Sequence, residues 1–242
     1  MQLLNEKPKS LTEVQMRYCP GCGHPIVHRL IAEVMDELDI QNKTIGIAPV
    51  GCAVFADEYF NCDMIQGPHG RGPAIATGIK RNNPDYIVFS YQGDGDLASI
   101  GMAEIIHAAN RGISITVVFV NNAIYGMTGG QMAPTTLIGQ KSTTTPHGRD
   151  PAVDGFPVKM CELLASIESV KFLERTKVNS PSWIRKTKRA IERAFRIQIE
   201  DTGFSMVEVL SMCPTNWHLD PIEALEFVDR MAEIYPVGVY KE

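Results

Sequence analysis

The chain has no apolar run approaching the roughly eighteen residues of a membrane span, and its first residues lack the apolar segment of a secretory signal. Both absences predict a protein that stays in the cytoplasm and off the membrane. A run of basic residues is also missing. With 23 Lys and Arg against 28 Asp and Glu, the formal charge of −5 argues against nucleic acid as a partner. No internal repeat and no low-complexity segment is visible, which disfavours solenoids and fibrous arrays. Without an export signal, the six cysteines are expected as reduced thiols, free to serve a metal or catalysis before disulfides.

What is present suits one large α/β domain over 1–242, because 242 residues with 44% hydrophobic content can bury a full core. Residues 1–16 read as an N-terminal extension and 214–242 as a C-terminal turn and helix. Apolar periodicity predicts a helix over 24–38, a short strand at 45–48, a small-residue helix at 71–80 and a strand at 86–91. A helix from 97 to about 110 and a strand over 114–120 follow. Residues 121–157 form a long loop rich in Gly, Thr and Pro, of the kind that is functional or disordered in compact domains. Beyond it come a helix at 158–166, a strand at 170–175, a helix at 182–199, a strand at 204–210 and a last helix at 221–234. Repeated β and α units of this kind predict a mostly parallel sheet with helices on both faces.

The most specific text lies between 93 and 122. Gly93-Asp94-Gly95-Asp96 ends one predicted strand and Asn121-Asn122 ends the next, with 25 residues (96–120) between GDG and NN. Glycines let the turn approach a ligand closely. The helix start after it offers unpaired N–H groups to an anion such as a diphosphate. Asp94, Asn122 and the backbone carbonyl of Ile124 supply three oxygens for one hard cation, and Mg²⁺ takes phosphate oxygens to complete its shell. A lone GDG is most often a surface turn, but a second motif at the neighbouring strand end removes most of that reading. Asp96 is read as orienting the turn. His69 either faces the reacting centre or caps the next helix. Gly126–Gln131, with Thr128 as a hydrogen-bond donor, either covers the diphosphate or is a flexible glycine loop.

The cysteines form the second pattern. Cys19 and Cys22 lie in Cys-Pro-Gly-Cys on a loop before the first helix, Cys52 follows the 45–48 strand, and Cys213 follows the 204–210 strand. Four such thiolates can hold zinc or an iron–sulfur cluster, and a C-x-x-C beside a helix start can also be a redox pair. Cys62 and Cys161 lack that context and read as ordinary thiols. His24, His28 and His107 read as satisfied or exposed helix residues, and Lys186, Lys188, Arg189 and Arg193 as a solvated face.

The chain resembles the β subunits of 2-oxoacid:ferredoxin oxidoreductases, which bind thiamine diphosphate. The resemblance rests on Tyr18-Cys19-Pro20-Gly21-Cys22-Gly23-His24, Gly51-Cys52, His69-Gly70-Arg71 with Ala76-Thr77-Gly78-Ile79-Lys80, Gly93-Asp94-Gly95-Asp96 and Asn121-Asn122. It continues through Tyr125-Gly126-Met127-Thr128-Gly129-Gly130-Gln131, Pro134-Thr135-Thr136 and Cys213-Pro214-Thr215, and spans about 17 to 217. It implies the diphosphate-binding fold of thiamine enzymes. It further implies Mg²⁺ on Asp94, Asn122 and the Ile124 carbonyl, and one [4Fe–4S] cluster on Cys19, Cys22, Cys52 and Cys213. Gly51, Cys52, His69, Gly93, Asp94, Gly95, Asp96, Asn122, Ile124, Gly126 and Thr128 are the cofactor-binding candidates, with His69 also the catalytic one. The implied reaction converts a 2-oxoacid and coenzyme A into acyl-CoA and CO₂, with electrons leaving through the cluster to ferredoxin. Branched-chain 2-oxoisovalerate is the closest substrate class, with 2-oxoglutarate or pyruvate as alternatives.

One part is missing. Thiamine enzymes use a glutamate against the aminopyrimidine ring, usually on a separate domain, and there is room here for the diphosphate domain alone. In the resembling family a larger α subunit supplies it, with additional small and ferredoxin-like subunits, so the isolated chain is expected to be inactive. Two other readings stay open: a cluster-free thiamine-dependent decarboxylase or carboligase subunit, and a non-enzymatic assembly module with structural zinc.

Overall fold

Prolines mark where helices begin in this chain. Their missing N–H is an orphan in the first turn anyway, and their fixed φ suits it. In the computed structural model, which describes residues 6–242, α1 (His24–Glu37), α3 (Gly72–Asn82), α5 (Pro151–Asp154), α7 (Pro181–Ile199), α8 (Pro214–Trp217) and α9 (Pro221–Ile234) all carry proline at the first or second position. The remaining helices are α2 (Ala56–Tyr59), α4 (Met102–Asn110) and α6 (Met160–Ala165). Asp220 accepts from the N–H groups of Ile222 and Glu223, and Glu223 returns the contact, a capping box that fixes the start of α9. The expected N-terminal extension begins in residues 1–5, outside the described residues. From Lys9 onward it is tied down, with Ser10 bonded to Asp36 and Thr12 to the Tyr59 carbonyl.

The strands are β1 (Thr44–Ala48), β2 (Asp63–Gln66), β3 (Ile87–Gly93), β4 (Thr116–Asn121), β5 (Val170–Lys177), β6 (Phe204–Leu210) and β7 (Gly238–Lys241). They form one sheet in the order β2-β1-β3-β4-β6-β5-β7, parallel except for β7, which runs antiparallel to β5. Alternate side chains of the central strands feed two cores. Phe89, Val118 and Val207 pack under α1, α7 and α9, while Val88, Val117 and Met206 pack under α3, α4 and α6. The sheet is therefore covered on both faces, as the alternating pattern predicts.

Two departures from the sequence pattern have plain causes. The predicted helix from 97 to 110 is broken: a wide turn at Asp96–Ile100 precedes Gly101, and α4 starts only at Met102. The break lets two backbones touch, since a Cβ on Gly101 would lie 2.7 Å from the Gly70 carbonyl oxygen. The second departure is the pair of edge strands, β2 and β7, which the periodicity does not reveal. Both are four residues long and largely exposed, so neither carries an apolar pattern. Among the described residues no helix is long and apolar enough to cross a membrane.

Between β1 and β3 the chain changes direction across the sheet, and the carboxyl ends of strands at such a point leave a crevice for ligands. The ends of β1, β3, β4 and β6 lie side by side there.

Candidate functional site

Each of those four strand ends delivers a candidate group: Gly51 and Cys52 after β1, Asp94 after β3, Asn122 after β4 and Cys213 after β6. Asp94 is 3% exposed and is the centre of the first cluster. Its Oδ1 accepts from the Gly95 N–H at 2.9 Å, and its Oδ2 accepts from the Thr135 hydroxyl at 2.7 Å and the Ile124 N–H at 3.2 Å. Burial nonetheless pushes its carboxyl up to about 6.

The Asn122 carboxamide oxygen faces Asp94 Oδ2 at 3.3 Å and the Ile124 carbonyl oxygen at 2.7 Å. Turned over, the amide nitrogen would donate to both. Unturned, three oxygens converge on one point, the donor set a hard cation requires. The residues fit Mg²⁺. Ala123 makes the convergence possible: its φ of 56° is a left-handed conformation that an alanine adopts only at a cost. Asn121 accepts from the Ala123 N–H, and Thr136 and Gln140 donate to the Ala123 carbonyl, so the kink is held from both sides.

The adjacent cavity, about 120 Å³, is bordered by His69, the turn Gly93–Asp96, Asn122 and Thr128. Asp96 does not face Asp94. It accepts from the Gly70 N–H, the Gln92 amide and the His69 Nδ1, which holds the His69 ring in the cavity wall. The turn is also roofed by Tyr125, because a Cβ on Gly95 would sit 1.9 Å from the Tyr125 ring.

The glycine loop is built, not loose. Tyr125 is tied across it, accepting from the Gly130 N–H at 2.9 Å and donating its own N–H to the Gln131 carbonyl at 3.0 Å. Thr128 donates to the Gln131 side chain and not into the cavity. Farther along, the buried Arg149 guanidinium donates to the carbonyls of Pro134, Thr136, Asp154, Gly155 and Phe156. One charged group thereby satisfies the backbone of a segment that has almost no regular structure.

Cys19, Cys22, Cys52 and Cys213 border a second cavity of about 190 Å³. Gly126 leaves it open, since a Cβ there would approach Cys52 Sγ to 3.3 Å and Cys213 Sγ to 3.6 Å. Burial pushes the Cys22 and Cys52 thiols up to about 12. Asn216 donates to Cys213 Sγ at 3.4 Å. Among the described residues no three His, Cys, Asp or Glu side chains gather closely enough to hold a single metal ion. The four thiols border one space, a donor set suited to zinc or to an iron–sulfur cluster. Cys62 lies against Met64 and Cys161 in the core, both away from this cavity.

His24 and His28 are buried and partnered, His107 is exposed, and Lys188 is paired with Glu33 and Glu37 on α1. The sequence pattern gave no role to Thr135, which clamps Asp94, nor to Asn121, whose amide donates to the buried Glu208 at 2.8 Å. Thr135 follows a proline just past the glycine loop, a weak signal. Glu208 lies inside a strand that is buried throughout, a strong one.

A family model for the C-terminal TPP-binding domain of thiamine pyrophosphate enzymes matches residues 49–209. The ketoisovalerate oxidoreductase subunit VorA of Methanothermobacter thermautotrophicus is 51% identical over 98% of this chain and 52% of its own length. The chain thus spans about half the length of that relative. The 2-oxoglutarate synthase subunit KorB of Methanocaldococcus jannaschii is 37% identical over 82% of this chain and 69% of its own length. A solved 2-oxoglutarate:ferredoxin oxidoreductase from Magnetococcus marinus, with 2-oxoglutarate, coenzyme A and succinyl-CoA bound, superposes with a TM-score of 0.79 at 27% identity. The superposition covers 99% of this chain and 86% of that one.

Proposed function

As this chain belongs to the thiamine-diphosphate-binding β subunits of the 2-oxoacid:ferredoxin oxidoreductases, we propose that it binds Mg²⁺–thiamine diphosphate and one [4Fe–4S] cluster. With partner subunits it oxidatively decarboxylates a 2-oxoacid to acyl-CoA and CO₂. The observation that carries the reading is the convergence of Asp94 Oδ2, the Asn122 carboxamide and the Ile124 carbonyl at the ends of adjacent strands. Bound there, thiamine diphosphate supplies the carbon nucleophile and electron sink that loss of CO₂ needs.

The residues of the chain do the positioning. Asp94, Asn122 and Ile124 hold the cation, Thr135 and the Gly95 N–H keep the Asp94 carboxylate aimed, and Asp96 fixes His69 and Gly70 at the cavity edge. Cys19, Cys22, Cys52 and Cys213 border the neighbouring cavity and would hold the cluster, which would supply one-electron transfer. A branched-chain 2-oxoacid is the proposed substrate, because VorA is the more similar of the two kinds of relative. A larger α subunit supplies the pyrimidine-side glutamate, ferredoxin-like subunits complete the assembly, and residues 1–242 act as a single diphosphate-binding domain. The six unpaired cysteines support a reducing, cytoplasmic setting.

The test is anaerobic purification of the chain, with iron and zinc quantified and Mg²⁺-dependent thiamine diphosphate binding measured by calorimetry. About four irons per chain and a brown absorbance are expected for Cys₄ ligation, with cofactor affinity lost on chelation. Cofactor binding without iron would leave a cluster-free decarboxylase or carboligase subunit.

A further inference from the structure

The two cavities share a wall made of His24, Cys52, Asn122, Gly126 and Met127. His24 is 3% exposed and sits on the first turn of α1. Its Nδ1 lies 2.6 Å from the hydroxyl of Tyr91, a fully buried residue whose hydroxyl meets no other polar partner among the described residues. A buried phenolic proton left without an acceptor is strongly disfavoured. The hydroxyl therefore donates to Nδ1, and the ring proton is left on Nε2.

That Nε2–H has no partner among the described residues. The fully enclosed nitrogens without a partner include His28 Nδ1 but not His24 Nε2, so the latter reaches the cavity surface. The ring cannot swing away. Tyr18 stacks on it at 5.0 Å and 13°, and Tyr91 meets it edge-on at 5.6 Å. Tyr18 is anchored in turn, donating to the Cys52 carbonyl at 3.1 Å and bonded to His28 Nε2 at 2.7 Å. The result is a fixed donor in the wall that separates the two cavities, one of which is bordered by four thiols. The backbone N–H of the same residue already points at the Cys22 thiol.

We propose that His24 Nε2–H, held in that tautomer by Tyr91, donates a hydrogen bond to a sulfur of the cluster and raises its reduction potential. The inference rests on the cluster reading above. Its physical basis is charge: reduction adds an electron to the cluster, and a donor to sulfur stabilises the more negative state more. His24 is the donor and Tyr91 a positioning residue.

The experiment is an anaerobic redox titration of the full chain, followed by electron paramagnetic resonance, for wild type, His24→Leu, His24→Gln and Tyr91→Phe, with iron quantified in each. His24→Leu is expected to keep its iron and titrate at a lower potential. His24→Gln, which restores an N–H, recovers part of the shift. Tyr91→Phe keeps the imidazole but frees its tautomer, so it shifts in the same direction by less. An unchanged potential in iron-replete His24→Leu overturns the proposal. If that variant loses its cluster, an unchanged potential in Tyr91→Phe overturns it instead. Unshifted potentials with weakened thiamine diphosphate affinity would place the donor on the thiamine side and also refute it. Wild type without iron refutes the cluster reading itself, a separate result seen before any titration.

Discussion

Thr135 donates its hydroxyl to Asp94 Oδ2 across 2.7 Å, although 41 positions of sequence separate them. The contact joins the long loop to the turn after β3 at the carboxylate proposed to bind the cation. A hydrogen bond to a charged group contributes roughly 1.5–3 kcal/mol. Thr135→Val, which keeps the shape and removes the hydroxyl, should weaken Mg²⁺-dependent thiamine diphosphate binding by about tenfold or more. Calorimetry on both proteins measures it, and equal affinities would remove Thr135 from the site.

Gly95→Ala is expected to be far more severe than its size suggests. The backbone there is ordinary, with φ of −67°, so the only obstacle is the Tyr125 ring 1.9 Å from the new Cβ. Relief means displacing Tyr125 and the loop it anchors. The expected outcomes are no measurable diphosphate binding and about 1–3 kcal/mol of lost stability. Restored binding in Gly95→Ala combined with Tyr125→Ala would confirm the steric cause.

Cys52→Ser should strip or degrade the cluster while leaving diphosphate affinity within about twofold. Cys52 borders both cavities, but its thiol faces Gly126 on the cysteine side. Iron analysis and calorimetry on one preparation separate the two effects. Full iron occupancy would refute the ligand set.

Glu208 and Arg175 form a fully buried ion pair between β6 and β5, with Arg175 Nε 2.9 Å from Glu208 Oε2. Glu208 also accepts from Asn121, the residue that steadies the Ala123 kink. Removing one partner of a buried pair costs about 3–5 kcal/mol. Glu208→Ala should lose that much in urea unfolding, and Glu208→Gln less, since it keeps an acceptor for Asn121.

Acid should destabilise the chain as pH falls below the ordinary histidine range. Burial pushes the His24 imidazole down to about 4 and that of His28 well below its ordinary 6.5. Below pH 6.5 the unfolded chain binds protons that the folded chain refuses. Stability present above that pH is therefore lost as pH falls toward 4, by up to about 1.4 kcal/mol per pH unit for each histidine. His28→Leu should show a shallower decline than wild type between pH 7 and about 5. Parallel curves would show that His28 is charged in the folded chain.

The parts of this molecule legible in sequence are those where chemistry and periodicity coincide. Buried strands such as Val117–Val120 announce themselves, and GDG and NN sit at their ends. The parallel sheet with two covered faces followed from the alternation alone. Geometry held in tertiary contacts was not legible. Nothing local marks Ala123 as left-handed, and the break at Gly101 exists because Gly70 approaches from another element. The meeting of Cys19, Cys22, Cys52 and Cys213 around one cavity depends on β6 lying beside β4, a crossover that spacing does not encode.

That crossover also sets an order of completion during synthesis. β5 pairs with β6 and β7, both of which come after it in the chain, whereas β2, β1, β3 and β4 lie side by side in that order. Asp94, Asn122, Ile124 and Thr135 all emerge from the ribosome with or soon after that first group of strands. Cys213 is made only after β6, the strand that lies between β4 and β5. The nascent chain can thus shape its diphosphate pocket early, while the cysteine cavity closes only after β6 has been made. A chain stopped short of β6 would carry three of the four thiols and no place to put them.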